Sequence, residues 1–168
     1  MIYLKNFTKY SDKALLKVLR YAERKLSLTG KTYVEVKTSK DWFHRFRGVA
    51  HPGWKVDLKK NREYDYGWIR ISMPGARDLD ELAVADDFLA ICLHELAHIK
   101  DYRTNRHFKR LTTKAGKRIA HDKRPIEISA ENQVYDARSF TRQTQLSREQ
   151  KVLLDFAIEV ERVIKGGK

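Results

Sequence analysis

Two histidines four residues apart bracket a glutamate in the run His94-Glu95-Leu96-Ala97-His98. On a helix, residues four apart share a face, so both imidazoles can be presented to a single metal ion. Glu95 follows His94 directly. At roughly 3.6 residues per turn it stands about 100° round the axis, which places its carboxylate beside such an ion and not necessarily on it. Residue types in this pattern suit holding and deprotonating a zinc-bound water, the chemistry of metal-assisted hydrolysis.

For the motif to work it must sit on a helix, and the flanking sequence predicts one from about Leu79 to Tyr102. Asp78, Asp80 and Glu81 suit the positive end of its dipole. Leu82, Ala85, Leu89, Cys92, Leu93, Leu96 and Ile99 form an apolar stripe nearly opposite the histidines, so the histidines are not core filler. Cys92 belongs to that stripe and reads as packing. Asp87 and Asp101 share the histidine face, and either could orient an imidazole through its second nitrogen or simply lie in solvent.

A catalytic zinc usually takes three protein ligands and leaves a position for water, so a third ligand is expected downstream. Glu127 is the first candidate. Pro125 suits the first turn of a further helix, which carries Glu127 and Glu131 on one face and leaves the small Ala130 free to pack closely. Glu127 would bind zinc while Glu131 receives a histidine N–H. His107 and His121 are alternatives. Donors able to stabilise an oxyanion at suitable chain positions are Tyr135, His121 and Arg124.

The HELAH run followed by Glu127-Ile-Ser-Ala130-Glu131 resembles the gluzincin pattern of zinc peptidases over about residues 67 to 140. That resemblance implies that Glu127 is the third ligand, that Glu131 supports a histidine in a place where Asp is more usual, and that the activity is hydrolysis of peptide bonds. It also implies a sheet edge, expected at residues 67 to 73, that pairs with an extended peptide. A competing resemblance is to the SprT and WLM types of DNA-associated zinc peptidase, through His107-Phe108 downstream of the motif; there His107 would be the third ligand. The aromatic and small neighbours expected around that histidine are missing, so Glu127 is preferred.

Elsewhere the chain predicts a helix over residues 11 to 27, capped by Ser11 and ended by Thr29-Gly30. Strands are expected at Thr32–Thr38 and Tyr66–Met73, with shorter ones around Val49 and Val56. A helix runs from Pro125 to roughly Phe140. Ser147-Arg-Glu-Gln150 resembles a capping box that opens the last helix, which ends at Gly166-Gly167. The 168 residues suit one domain, residues 1–168, with a core large enough to need no disulfide. A single cysteine excludes a cysteine-rich zinc ribbon. No apolar run long enough for a membrane span or signal peptide is present, which predicts a cytoplasmic protein with no membrane partner.

Charge is the compositional outlier, at +13 with a pI near 9.8. Ten Lys or Arg between residues 99 and 124, against Asp101 and Asp122, leave +8 in that connector. Such a segment is either a solvated face or a phosphate-binding one. No base-reading motif accompanies it, so nucleic-acid contacts by Lys109, Arg110, Lys117 and Arg118 would be non-specific. Taken with the resemblance, the sequence predicts an α+β, zincin-like fold: a small, mostly antiparallel sheet packed on the motif helix, and a helical C-terminal half closing the site. One zinc held by His94, His98 and Glu127, with Glu95 activating water, would act on a peptide or protein substrate. The rival reading is a basic nucleic-acid-binding or interaction protein with a structural or vestigial zinc site.

Overall fold

The computed structural model describes residues 1–38, 47–52, 66–73, 80–104, 120, 122, 124–139 and 143–166. In chain order the elements are β1 (Ile2–Phe7), α1 (Asp12–Lys25), β2 (Lys31–Thr38), β3 (Arg47–Pro52), β4 (Tyr66–Met73), α2 (Glu81–Arg103), α3 (Pro125–Ser139) and α4 (Gln143–Ile164). The protein is α+β, as expected.

The sheet differs from expectation. Its order is β1-β2-β4-β3, with β1, β2 and β4 mutually parallel and only β3 antiparallel, against β4. Alternation along β2 and β4 buries Thr32, Val34, Val36, Ile69, Ile71 and Met73 on one face. One-faced alternation ordinarily signals an antiparallel sheet. Here, among the described residues, no helix packs on the opposite face, where Tyr3 stacks on Tyr33 and Arg70 pairs with Glu35 at 2.6 Å. The first strand, β1, was not expected from the sequence; it pairs with β2 from Ile2↔Thr32 onward. Because β4 lies between β2 and β3, it is an inner strand, and the expected peptide-pairing edge at residues 67 to 73 is corrected: the edge beside β4 is β3.

Local signals set the helix ends with varying success. Ser11 caps α1 by accepting from the Ala14 amide at 3.3 Å. The helix ends earlier than Thr29-Gly30. Ser27 takes a left-handed conformation (φ 51°), and the Leu28 and Ser27 amides donate to Glu23 and Arg24, closing a Schellman motif. Asp80 caps α2 through its side chain, accepting from Ala83 at 2.7 Å. The last helix already runs from Gln143, so Ser147 lies inside α4 and does not cap it. Val56 lies outside the described residues.

Helix α2 is the centre of the molecule. It packs against α1, α3, α4, β3 and β4, and Val84, Phe88, Leu89, Leu93, Leu96 and Ile99 are all buried. A helix buried on most sides loses the simple one-stripe pattern of a surface helix. Leu82, assigned to the stripe, is 51% exposed, because it belongs to the first turn, before α2 enters the core. Gly67 on β4 lets α2 approach: a Cβ there would come within 2.5 Å of the Ile99 side chain. Two contacts thus fix the motif helix against the sheet, Ile99 on Gly67 and, nearer the histidines, Glu95 beneath Gly48.

Candidate metal centre

His94 and His98 project from α2 toward α3, which brings Glu127 from its own first turn. The sequence permits this approach because Ala130, one turn beyond Glu127, is fully buried and has no side chain beyond Cβ to hold the helices apart. The Nε2 atoms of the two histidines stand 3.1 Å apart, and each lies 3.3 Å from Oε2 of Glu127. The rings meet nearly edge to face, at 88°.

The donor set fits zinc. Tetrahedral coordination with arms of about 2.0–2.1 Å separates ligand atoms by roughly 3.3 Å, close to the triangle observed. Imidazole N–H donors could each reach the same Glu127 oxygen, so two edges of the triangle also suit hydrogen bonds; the third edge, the 3.1 Å approach of the two Nε2 atoms, is the one a shared metal ion would explain in addition. Among the described residues, these three form the group able to hold a metal.

Glu131, one turn beyond Glu127 on α3, places a carboxylate oxygen 3.3 Å from Nδ1 of His94, the nitrogen turned away from the triangle. The placement beside a histidine is as expected, but the pair is a 3.3 Å approach and not the hydrogen bond from an imidazole N–H that the sequence predicts. Asp101 departs from expectation. It is buried, but its Oδ1 accepts from the Gln133 side chain of α3 at 3.0 Å, drawing the carboxylate toward α3. Its Oδ2 and Nδ1 of His98 are both buried without a hydrogen-bond partner. Asp101 therefore acts on His98 through its charge rather than through a hydrogen bond. Burial, and then the proximity of His94, lower the His98 pKa; Glu127 and Asp101 oppose that shift.

Glu95 is 4% exposed. Burial, and then the nearby Glu127 charge, push its pKa up to about 8 in the metal-free protein. Its carboxylate lies beneath β3, where a Cβ on Gly48 would collide with it. A glycine inside a strand can mark such a close backbone approach, so Gly48 was in principle findable. Tyr102 was also missed, although it follows His98 at the same four-residue spacing. It is half-buried, and its pKa is raised by burial and then by the charges of Glu127, Glu95 and Asp101, which places its phenol among the site's carboxylates.

Of the other expected residues, those that are described do not join the cluster. Asp87 is exposed, and Tyr135 is 69% exposed two turns beyond Glu127. Arg124 serves α3 through its backbone, its carbonyl accepting from the Glu127 and Ile128 amides at 3.0 Å. Cys92 is fully buried, and burial raises its thiol pKa well above the ordinary value, in keeping with a packing role. His107, His121, Lys109, Arg110, Lys117 and Arg118 lie outside the described residues. No helix among the described residues is long and apolar enough to cross a membrane. Compared with known protein families, curated proteins and solved structures, the chain finds no match.

Proposed function

We propose that the protein is a zinc-dependent peptidase of the zincin type, with His94, His98 and Glu127 as metal ligands. The observation that carries the reading is the triangle of ligand atoms at 3.1 and 3.3 Å with the Glu95 carboxylate buried beside it. A zinc ion bound there would supply Lewis-acid polarisation of a carbonyl and an acidified water.

The residues then divide the remaining work. Glu95 takes a proton from the attacking water and passes it to the leaving amine nitrogen, so that water is added across the C–N bond. The backbone at Gly48 confines the Glu95 side chain, and its burial keeps competing solvent away. Glu131 fixes the ring of His94. Strand β3, the edge nearest Glu95, is where an extended peptide would lie. A purely structural metal site has no need of a general base, so the buried Glu95 favours catalysis over the rival reading of a nucleic-acid-binding protein with a structural zinc.

The test is zinc content and peptide cleavage measured together. Wild-type protein should carry about one zinc per chain and cleave a mixed peptide library. Glu95→Gln should keep the zinc and lose the cleavage, since both imidazoles and Glu127 remain. Equal cleavage by the two proteins, or an absence of zinc from both, would overturn the proposal.

A further inference from the structure

A second concentration of charge lies apart from the metal ligands, in a cleft of about 550 Å³ between α1 and α4. Lys17, Arg24 and Lys25 line it from α1, and Arg148 and Lys151 from α4; Tyr21 and Val152 complete the wall and are buried. Its volume falls within the range of small-molecule sites, roughly 300–1,000 Å³.

The cations are not neutralised from within. Of the five cleft cations, Lys17 pairs with Asp155 and Lys25 lies over the Tyr21 ring at 5.8 Å, whereas Arg24, Arg148 and Lys151 have no ion pair among the described residues. Glu149, on the same stretch of α4, is engaged below the cleft. Its two oxygens accept from the Tyr21 hydroxyl at 2.8 Å and from Arg138 at 3.2 Å, and Arg138 also pairs with Asp86 of α2. That network ties α1, α2, α3 and α4 together, so the cleft has rigid walls.

Dipole effects explain only part of the pattern. Arg24 and Lys25 lie in the last turn of α1, where cations are favoured. Arg148 and Lys151 lie in the first half of α4, where the dipole gives no reason for them. Like charges gathered round one concavity repel each other unless an anion is bound between them.

We infer that this cleft binds phosphate groups. The ligand is a phosphorylated anion: guanidinium and ammonium donors from two facing helices match several phosphate oxygens at once, and the buried Tyr21 and Val152 offer a patch for an apolar or planar portion. The inference does not rest on the metal-centre reading.

Two probes separate the sources of phosphate: inorganic tripolyphosphate, followed by calorimetry, and a short fluorescent single-stranded oligonucleotide, followed by anisotropy. Both are titrated against the full chain at low salt. The cleft variant Arg24→Gln/Arg148→Gln/Lys151→Gln is compared with Lys5→Gln/Lys9→Gln/Lys31→Gln, which removes the same formal charge from residues outside the cleft. The cleft variant should weaken binding at least about tenfold, and the control variant no more than about threefold. For the oligonucleotide, the log–log salt slope should fall by about 2 in the cleft variant. Cleft-dependent binding of tripolyphosphate alone supports the site and assigns it a small phosphorylated ligand. Cleft-dependent binding of the oligonucleotide supports the site and assigns it a nucleic-acid backbone. Equal losses in the two variants, or no binding of either probe to the wild type, would overturn the inference. Should the triple variant fail to fold, Lys151→Gln alone, at an exposed position, should still weaken binding about threefold, and an unchanged affinity would count against the site.

Discussion

Replacing Gly48 with alanine should destabilise the protein through one side chain, Glu95. Gly48 does not use the left-handed backbone region. Alanine would fit its conformation and, through the unfolded state alone, would stabilise by about 0.4–1 kcal/mol. Against this stands the collision of the new Cβ with the Glu95 carboxylate. Glu95 is held between β3 and the core and has little room to withdraw. Overpacking of this kind costs about 1–3 kcal/mol. The second effect is the larger, leaving a net loss centred on about 1.3 kcal/mol, or roughly 3–5 °C in Tm at this chain length. Metal affinity should change little, because the three ligands come from α2 and α3. Denaturant unfolding of four proteins measures the effect: wild type, Gly48→Ala, Glu95→Ala and the double variant. With Glu95 truncated the new methyl has space, so Gly48→Ala should be nearly neutral in that background, and the coupling energy should exceed about 1 kcal/mol. If Gly48→Ala costs the same with and without the Glu95 side chain, β3 does not rest on Glu95 as described.

Two further outcomes follow from the same geometry. Glu127→Ala should lower zinc affinity by more than the ~10–100-fold that accompanies loss of a supporting group, while His107→Ala leaves it nearly unchanged; chelator competition that shows the reverse would make His107 the ligand. In metal-free protein, the Glu95 pKa is raised to about 8 from the ordinary 4.5. Between those values the native state keeps a proton that the unfolded state has lost, so this group's contribution to stability falls as pH rises. Glu95→Gln should therefore gain stability relative to wild type across pH 4.5 to 8, by at most about 1.4 kcal/mol per pH unit, and level off above. Parallel stability curves for the two proteins would show that Glu95 ionises freely.

Sequence alone was enough for features whose physics is local. The four-residue spacing of His94 and His98 places both on one helix face, and that spacing stands in α2. Ser11 caps α1 as expected, because the capping bond spans only three residues, whereas Asp80, expected only as a favourable charge near the start of the motif helix, is its N-cap. Glu127, Ala130 and Glu131 share one short helix, so their relative placement was readable before α3 was docked. Other features depend on partners distant in the chain. One-faced alternation in β2 and β4 is compatible with either strand direction, and only the position of β1 and the passage of β3 to the far edge made the sheet mainly parallel. Asp87 and Asp101 looked equivalent as imidazole partners or solvated carboxylates, yet packing left Asp87 exposed and buried Asp101 against Gln133, while Glu131 stands beside His94. Strand β4 lies between Gly48 and Glu95 in the chain, and the cleft brings together residues 17 to 25 and 148 to 152. Spacing along the chain fixes which side chains share a face; which faces meet is decided by burial summed over the whole core, and no local pattern encodes that sum.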